Sequence, residues 1–352
     1  MMENTTSMRA AYLIGHGGNE VVQVGLRPMP VRAPGEVLVR LRAATVNRVD
    51  LYMRDSGAGI THSLPMIMGL DGAGVVADCD AGEKRLKPGD PVVVHPGIGC
   101  GRCEFCLRGD HVLCLSVKYL GEHRDGTFAH YVCVPASNVF AKPEGLTDAE
   151  AAALGVNHLT AWRMLFSKAR LQPWESVLIV GIGGGVSLAA LQLAKAIGVR
   201  TIVSSRSSVK LDRARQLGAD SLIDTSSQDL SAGVLAATDG RGVDVVIENV
   251  GAAVWTSALK SLVRGGRIVT CGATTGDQPP ADLRRIFIRQ LQIFGSTLGN
   301  FDEFGNLLKF CVAHKVRPII DSTFGLEDTH KALSRLEDGQ QFGKVAISLA
   351  QN

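Results

Sequence analysis

From Met8 to about Val134 the apolar residues come in short runs, Glu36–Arg42, Gly74–Ala77, Pro91–His95 and His130–Pro135, separated by Gly and Pro. Runs of that length and punctuation read as strands, so this part is expected to be an all-β unit with little helix. From about Thr147 the period changes. Apolar strands at Val177–Val180, Val199–Ser204, Val243–Asn249 and Arg267–Cys271 alternate with helical spacings at Val186–Ile197, Val209–Leu217 and Ala252–Leu262. Such alternation predicts parallel βαβ units. Beyond Leu291–Ser296 follow two more helices, near Phe301–Ala313 and Leu326–Leu336, and a last strand, Lys344–Leu349. Residues 1–7 carry no pattern, and there is no internal repeat.

Composition narrows the class. The chain of 352 residues is 45% hydrophobic and 20% charged, enough for a sizeable core, and its length suggests two domains. With 37 basic against 34 acidic residues, bulk charge implies no nucleic-acid partner. The opening MMENTTSMRAAYLI lacks a signal-peptide pattern, so a cytoplasmic protein is expected. The uncharged stretch Val177–Ala194 is interrupted by four glycines and reads as strand, turn and buried helix rather than a membrane span.

That stretch, VLIVGIGGGVSLAALQLAKAIG, would place backbone N–H groups and the positive end of a helix where a pyrophosphate can sit. Gly181, Gly183, Gly184, Gly185 and Val186 are the candidate contacts. The position that is commonly a third glycine is Ser187. Ser205 lies 22 residues past Gly183, near where an acidic residue would read the ribose of NAD. Here Ser205, Arg206 and Lys210 offer hydroxyl and cationic partners for a 2′-phosphate, which favours NADP(H).

Cys100, Cys103, Cys106 and Cys114 form C-x2-C-x2-C-x7-C. Four thiolates this close suit one structural Zn²⁺ and leave no open position. The rival is an iron–sulfur cluster, but the usual three-residue step and trailing Pro are missing. Cys79, Cys133, Cys271 and Cys311 stand apart and read as buried packing residues.

Together with LGAD (Leu217–Asp220), RLKPGDPVVV (Arg85–Val94), DGTFAHYVCVP (Asp125–Pro135), GVNHLTAW (Gly155–Trp162) and FGKVAI (Phe342–Ile347), these features resemble the zinc-containing medium-chain dehydrogenase/reductase superfamily. The resemblance implies an α/β fold: a GroES-like β-domain plus a Rossmann domain with a doubly wound parallel sheet. It implies a catalytic domain at 8–152 and 297–352, with a zinc lobe at about 97–116, a dinucleotide domain at 153–296, and the cofactor in the cleft. By position, Thr160, Asn249, Val250, Gly251, Cys271, Gly272, Ala273 and Lys344 would line the cofactor, Lys344 near its phosphates. Relatives of this kind are homodimers or homotetramers acting on small molecules, with no membrane or nucleic acid involved.

The family's catalytic-zinc ligands are not matched. Their places are taken by Asn47 in NRVD, Leu70 in GLDGAG and, by approximate register, Ala152. His62, His95 or His158 could restore a ligand. The pattern Asn47, Asp50, Tyr52 resembles instead the quinone-oxidoreductase and enoyl-reductase branch. There, hydride passes from NADPH to a quinone or α,β-unsaturated carbonyl and hydrogen-bond donors meet the developing charge. Tyr52 would be proton donor or oxyanion partner, Asn47 would position the nicotinamide ribose or substrate, and Asp50 would orient its neighbours. Alternatives are an alcohol dehydrogenase with an atypical metal site and a non-catalytic NADPH-binding protein.

Overall fold

The computed structural model describes residues 6–350. The unpatterned segment 1–7 therefore lies largely outside the described residues. The chain forms two compact units: residues 6–157 with 300–350, and His158–Gly299.

The first unit is built on a seven-stranded sheet. Its path runs Val139–Ala141, Pro91–Val94, Asp71–Asp78, Glu36–Val46, Lys344–Ser348, Ile320–Gly325, and Tyr131–Pro135 pairs with the first half of Glu36–Val46. The late strand Lys344–Ser348 lies antiparallel beside Glu36–Val46, with Val345 opposite Val46. Alternating Val and Leu from these strands pack with Leu120, Phe128 and Leu333 into one core. Helix is scarce there as expected, but not absent: Glu104–Leu107 forms a single turn in the cysteine lobe, and a longer element follows the strand Glu36–Val46. Arg48–Asp55 is a helix whose first turn carries Asp50 and whose Asp50 carboxylate returns to the Asn47 N–H at 2.7 Å, as in a capping box.

The second unit is a six-stranded, wholly parallel sheet. Its order is Ser221–Asp224, Arg200–Ser205, Ser176–Ile179, Val243–Glu248, Leu262–Thr270, Gln292–Gly295. This is the doubly wound order that reverses beside the first strand, where dinucleotides bind in such sheets. Helices Gly185–Ala196, Ser208–Gln216 and Ala252–Ser261 fall within a residue or so of the sequence reading. The helix Leu230–Ala237 was not anticipated, because its small-residue sequence LSAGVLAA shows almost no amphipathic period.

Candidate active and cofactor sites

In the second unit the strand Ser176–Ile179 leads into a turn with Gly181 and Gly183 at φ +66° and +110°, conformations that side chains disfavour. The twelve-residue helix Gly185–Ala196 starts at once, with Gly184 as its extended N-cap. Ser187, where a glycine was the common residue, is fully buried: its hydroxyl donates to Val180 O at 2.8 Å and accepts from Asn249 Nδ2 at 3.0 Å. The serine thus ties the glycine helix to the neighbouring strand end. The Lys210 side chain lies over the turn, its Nζ 3.3 Å from where a Gly183 Cβ would stand. Ser205 is half-buried and accepts the Ser207 N–H at 3.1 Å, while Arg206 is exposed. The cradle of glycine turn and helix N-terminus fits a dinucleotide pyrophosphate.

The buried Glu248 carboxylate accepts the N–H groups of Val250 (2.5 Å) and Gly251 (2.6 Å) and the Thr270 hydroxyl (2.9 Å). Those amides therefore shape the Asn249–Gly251 and Cys271–Ala273 loops from within, and Gly272 and Ala273 pack on them. Thr160 is buried at the start of a helical segment flanked by π-helical turns.

In the first unit, the Sγ atoms of Cys100, Cys103, Cys106 and Cys114 all lie within 4.8 Å of one another. Tetrahedral zinc thiolates have sulfurs about 3.8 Å apart, and Cys100 and Cys106 are at 4.0 Å. The N–H groups of Cys100 and Ser116 both point to Cys114 Sγ at 3.3 Å. The backbone N–H groups of Arg102 and Cys103 pull the Cys100 thiol down to about 6, favouring the ligand form. A Cβ at Gly99 would stand 2.8 Å from Cys106 Sγ, so this glycine keeps the knot closed. The site fits a structural Zn²⁺. Of the four other cysteines, Cys133 and Cys311 are buried as expected, whereas Cys79 and Cys271 are only half-buried.

The catalytic candidates fall into a buried polar network. Lys344 Nζ donates to Asn47 Oδ1 at 2.5 Å and Val46 O at 3.0 Å, and lies 3.7 Å from Asp71 Oδ2. Asp71 accepts from Thr45 N, Thr45 Oγ1 and Asn47 Nδ2 at 3.0, 2.7 and 3.0 Å. All four residues are at most 3% exposed. Lys344 therefore serves this network and is not placed as a phosphate ligand; its ammonium is the counter-ion of a fully desolvated carboxylate. The Asn47 amide is spent on Lys344, Thr45 and Asp71. Burial pushes the Asp50 carboxyl up to about 8, against the pull of the Asn47 N–H. Tyr52 sits 37% exposed on the same helix, and no hydrogen bond among the described residues brings its hydroxyl to Asn47 or Asp50.

The third ligand position shifts. Ala152 packs with Ala43, Ala73 and Ala151 in a small apolar cluster, and Gly155 is the residue that approaches Asp71. The histidines do not rebuild the set. His95 stacks edge-on with His111, Phe301 and Phe304, His62 lies beside His16, and His158 meets Gln192. Among the described residues only the four cysteines converge tightly enough to hold a metal. Sequence reasoning missed one acid: Glu122, 9% exposed, in the turn after Gly121.

A β-unit carrying a closed thiolate knot, joined to a doubly wound sheet with a glycine turn, defines an oxidoreductase of the dehydrogenase/reductase class. Residues 33–144 match the alcohol dehydrogenase GroES-like domain and 185–313 the zinc-binding dehydrogenase model. An NAD-dependent alcohol dehydrogenase of Saccharolobus solfataricus is 33% identical over 97% of this chain and 99% of its own length. A crystal structure of an NAD-dependent alcohol dehydrogenase superposes with TM-score 0.94 at 39% identity, covering 97% and 100% of the two chains. A crotonyl-CoA carboxylase/reductase superposes with TM-score 0.90 at 28% identity, covering 97% and 88%. The chain belongs to the zinc-containing medium-chain dehydrogenase/reductase superfamily and is alcohol dehydrogenase-like. Among the described residues no helix is long and apolar enough to cross a membrane.

Proposed function

We propose that this oxidoreductase transfers hydride between a nicotinamide dinucleotide and the alcohol–carbonyl pair of a small molecule, without a second, catalytic zinc. The relatives named as alcohol dehydrogenases support the substrate class. The observation that carries the metal-free reading is Lys344 Nζ bound to Asn47 Oδ1: an ammonium already occupies the polar atom at the first ligand position, and the second is the apolar Leu70.

A bound reduced nicotinamide supplies the hydride. Gly181, Gly183, Gly184, Gly185 and Val186 would hold its pyrophosphate, with Thr160, Asn249–Gly251 and Cys271–Ala273 around the ribose and nicotinamide. Ser205, Arg206 and Lys210 support NADP(H), although the named relatives are NAD-dependent. Asp50, kept protonated by burial, supports donor chemistry at the substrate oxygen, with Asn47 positioning it and Tyr52 at the edge. Cys100, Cys103, Cys106 and Cys114 would bind one structural zinc per chain.

A second reading, reduction of a quinone or α,β-unsaturated carbonyl, is favoured by the Asn47–Asp50–Tyr52 pattern and by the likeness to the crotonyl-CoA carboxylase/reductase. The deciding assay follows NADPH and NADH oxidation with ketones, enones and quinones, and the reverse reaction with secondary alcohols, each with and without a chelator. Turnover of alcohols and ketones that survives chelation supports the first reading. Turnover of enones or quinones alone supports the second, and chelator-sensitive alcohol oxidation sinks the metal-free claim.

We also propose a homodimer or homotetramer. The edge strand Gln292–Gly295 and the preceding helix leave Leu283, Phe287, Ile288 and Ile293 exposed. A monomer by light scattering would remove this proposal.

A further inference from the structure

We propose that Glu248 is a positioning residue for the nicotinamide half of the dinucleotide, acting through the two loops that its buried carboxylate ties together; this rests on the dinucleotide reading above.

The strand order of the second unit places those loops. Its sheet reverses between Ser176–Ile179 and Val243–Glu248. A dinucleotide lies across the carboxyl ends of the strands at such a reversal, one mononucleotide on each side. The glycine turn and Ser205 belong to the first side, with the pyrophosphate and the adenosine. The segments that follow Glu248 and Thr270 belong to the other, which leaves them the nicotinamide nucleotide. The two sides touch: a Cβ at Gly181 would stand 3.0 Å from Val250 Cγ2, and Asn249 Nδ2 donates to Ser187 Oγ at 3.0 Å.

Glu248 is the last residue of its strand and is wholly buried. Its Oε1 accepts both the Val250 and the Gly251 N–H, and its Oε2 accepts the Thr270 hydroxyl from the next strand. Its main-chain oxygen accepts the Cys271 N–H at 3.1 Å. Residues 271–276 then close over the first loop. Thr275 N donates to Val250 O at 2.8 Å and Ala252 N to Gly276 O at 3.0 Å. At Gly251, with φ +94°, a Cβ would stand 2.5 Å from Gly276 O, so backbone rests on backbone. One side chain thereby fixes the position of both loops, through charge-assisted bonds.

Stability alone does not account for this acid. No cationic side chain pairs with it among the described residues, and taking a carboxylate out of water costs more than packing an apolar side chain in its place. What the carboxylate supplies is acceptor capacity: one oxygen closes on two adjacent amides while the other reaches the next strand. Gly251 N is taken by Glu248, Ala252 N by Gly276 O and Ala253 N by Thr275 Oγ1, so the start of the helix Ala252–Ser261 is filled by the chain's own acceptors. That leaves the pyrophosphate to the glycine turn and sets which way round the dinucleotide lies.

The test compares the full-length protein with its Glu248→Ala, Glu248→Gln and Thr270→Val variants. Each is titrated with NADH, NADPH and two probes of the adenosine side, ADP and adenosine 2′,5′-bisphosphate. Glu248→Ala should raise the Kd for the dinucleotide that the parent binds by about tenfold or more, and leave the adenosine probes within about twofold. Glu248→Gln keeps an oxygen for the two amides and should return most of that affinity. Thr270→Val, which loses only the bond from the next strand, should show a smaller loss of the same selective kind, and it carries the test if Glu248→Ala does not fold. Equal losses for dinucleotide and adenosine probes, parent-level dinucleotide binding in Glu248→Ala or Thr270→Val, or a Glu248→Gln as weak as Glu248→Ala would each overturn the positioning role. A parent protein that binds neither dinucleotide overturns the dinucleotide reading itself.

Discussion

Lys344 reaches across 297 positions of sequence to place its ammonium 2.5 Å from the Asn47 side-chain oxygen. The pair is the keystone of a sealed polar cluster. Around it Asp71 is wholly buried, and among the described residues Lys344 carries the positive charge that faces that carboxylate.

Removing that charge should be costly. Lys344→Met leaves Asp71 buried without a counter-ion, a loss of about 3–5 kcal/mol in unfolding free energy by chemical denaturation. Adding Asp71→Asn should recover much of it. If Lys344→Met instead weakened dinucleotide binding with stability intact, the lysine would belong to the cofactor after all.

Zinc content should be about one per protomer after mild chelation, set by the four-thiolate knot. Cys103→Ser should abolish it and lower the melting temperature. A content near two would mean that a second ligand set exists.

The cofactor preference should follow the end of the strand Arg200–Ser205. Exchanging Lys210 or Arg206 for Ala should raise the Kd for NADPH about tenfold, roughly 1.4 kcal/mol, and leave that for NADH nearly unchanged. Equal losses for both dinucleotides would assign Lys210 to the pyrophosphate over Gly183 instead.

Stability should fall as pH rises through the weakly acidic range. Unfolded, Glu122 releases its proton near 4.5; folded, burial holds it to about 7. The folded state then binds the extra proton, so its contribution is full below about 4.5 and is lost progressively up to about 7. The span corresponds to about 3 kcal/mol, and Asp50 acts in the same direction up to about 8. Glu122→Gln should flatten this slope, raising the melting temperature at pH 8 and not at pH 4. A parallel pair of pH–melting curves would contradict the burial of that carboxyl.

What the sequence disclosed depended on range. The knot was legible because its four ligands sit within one short loop, and the glycine turn because strand, turn and helix are contiguous. The cluster of Lys344, Asn47 and Asp71 was not, since strand pairing between distant segments creates it; FGK alone suggests a surface cation. The pattern N-x-x-D was read as chemistry, and the fold shows that it also starts a helix, with Asp50 closing on the Asn47 N–H. Glu122 was invisible for a related reason. A glutamate beside His, Arg and Asp reads as a solvated turn until backbone packing on Gly69 buries it.

The strand that brings Lys344 is the last of the sheet in chain order, and the carboxylate it neutralises lies on a strand made well before the dinucleotide unit. A nascent chain on the ribosome therefore carries Asp71 unpaired through the synthesis of the entire dinucleotide unit, which meets all its own strand partners earlier. Quality control inside the cell should follow that order: products that stop short of Lys344 would keep a sound cofactor half attached to a β-half with an open, charged interior, and proteases should clear them from that end.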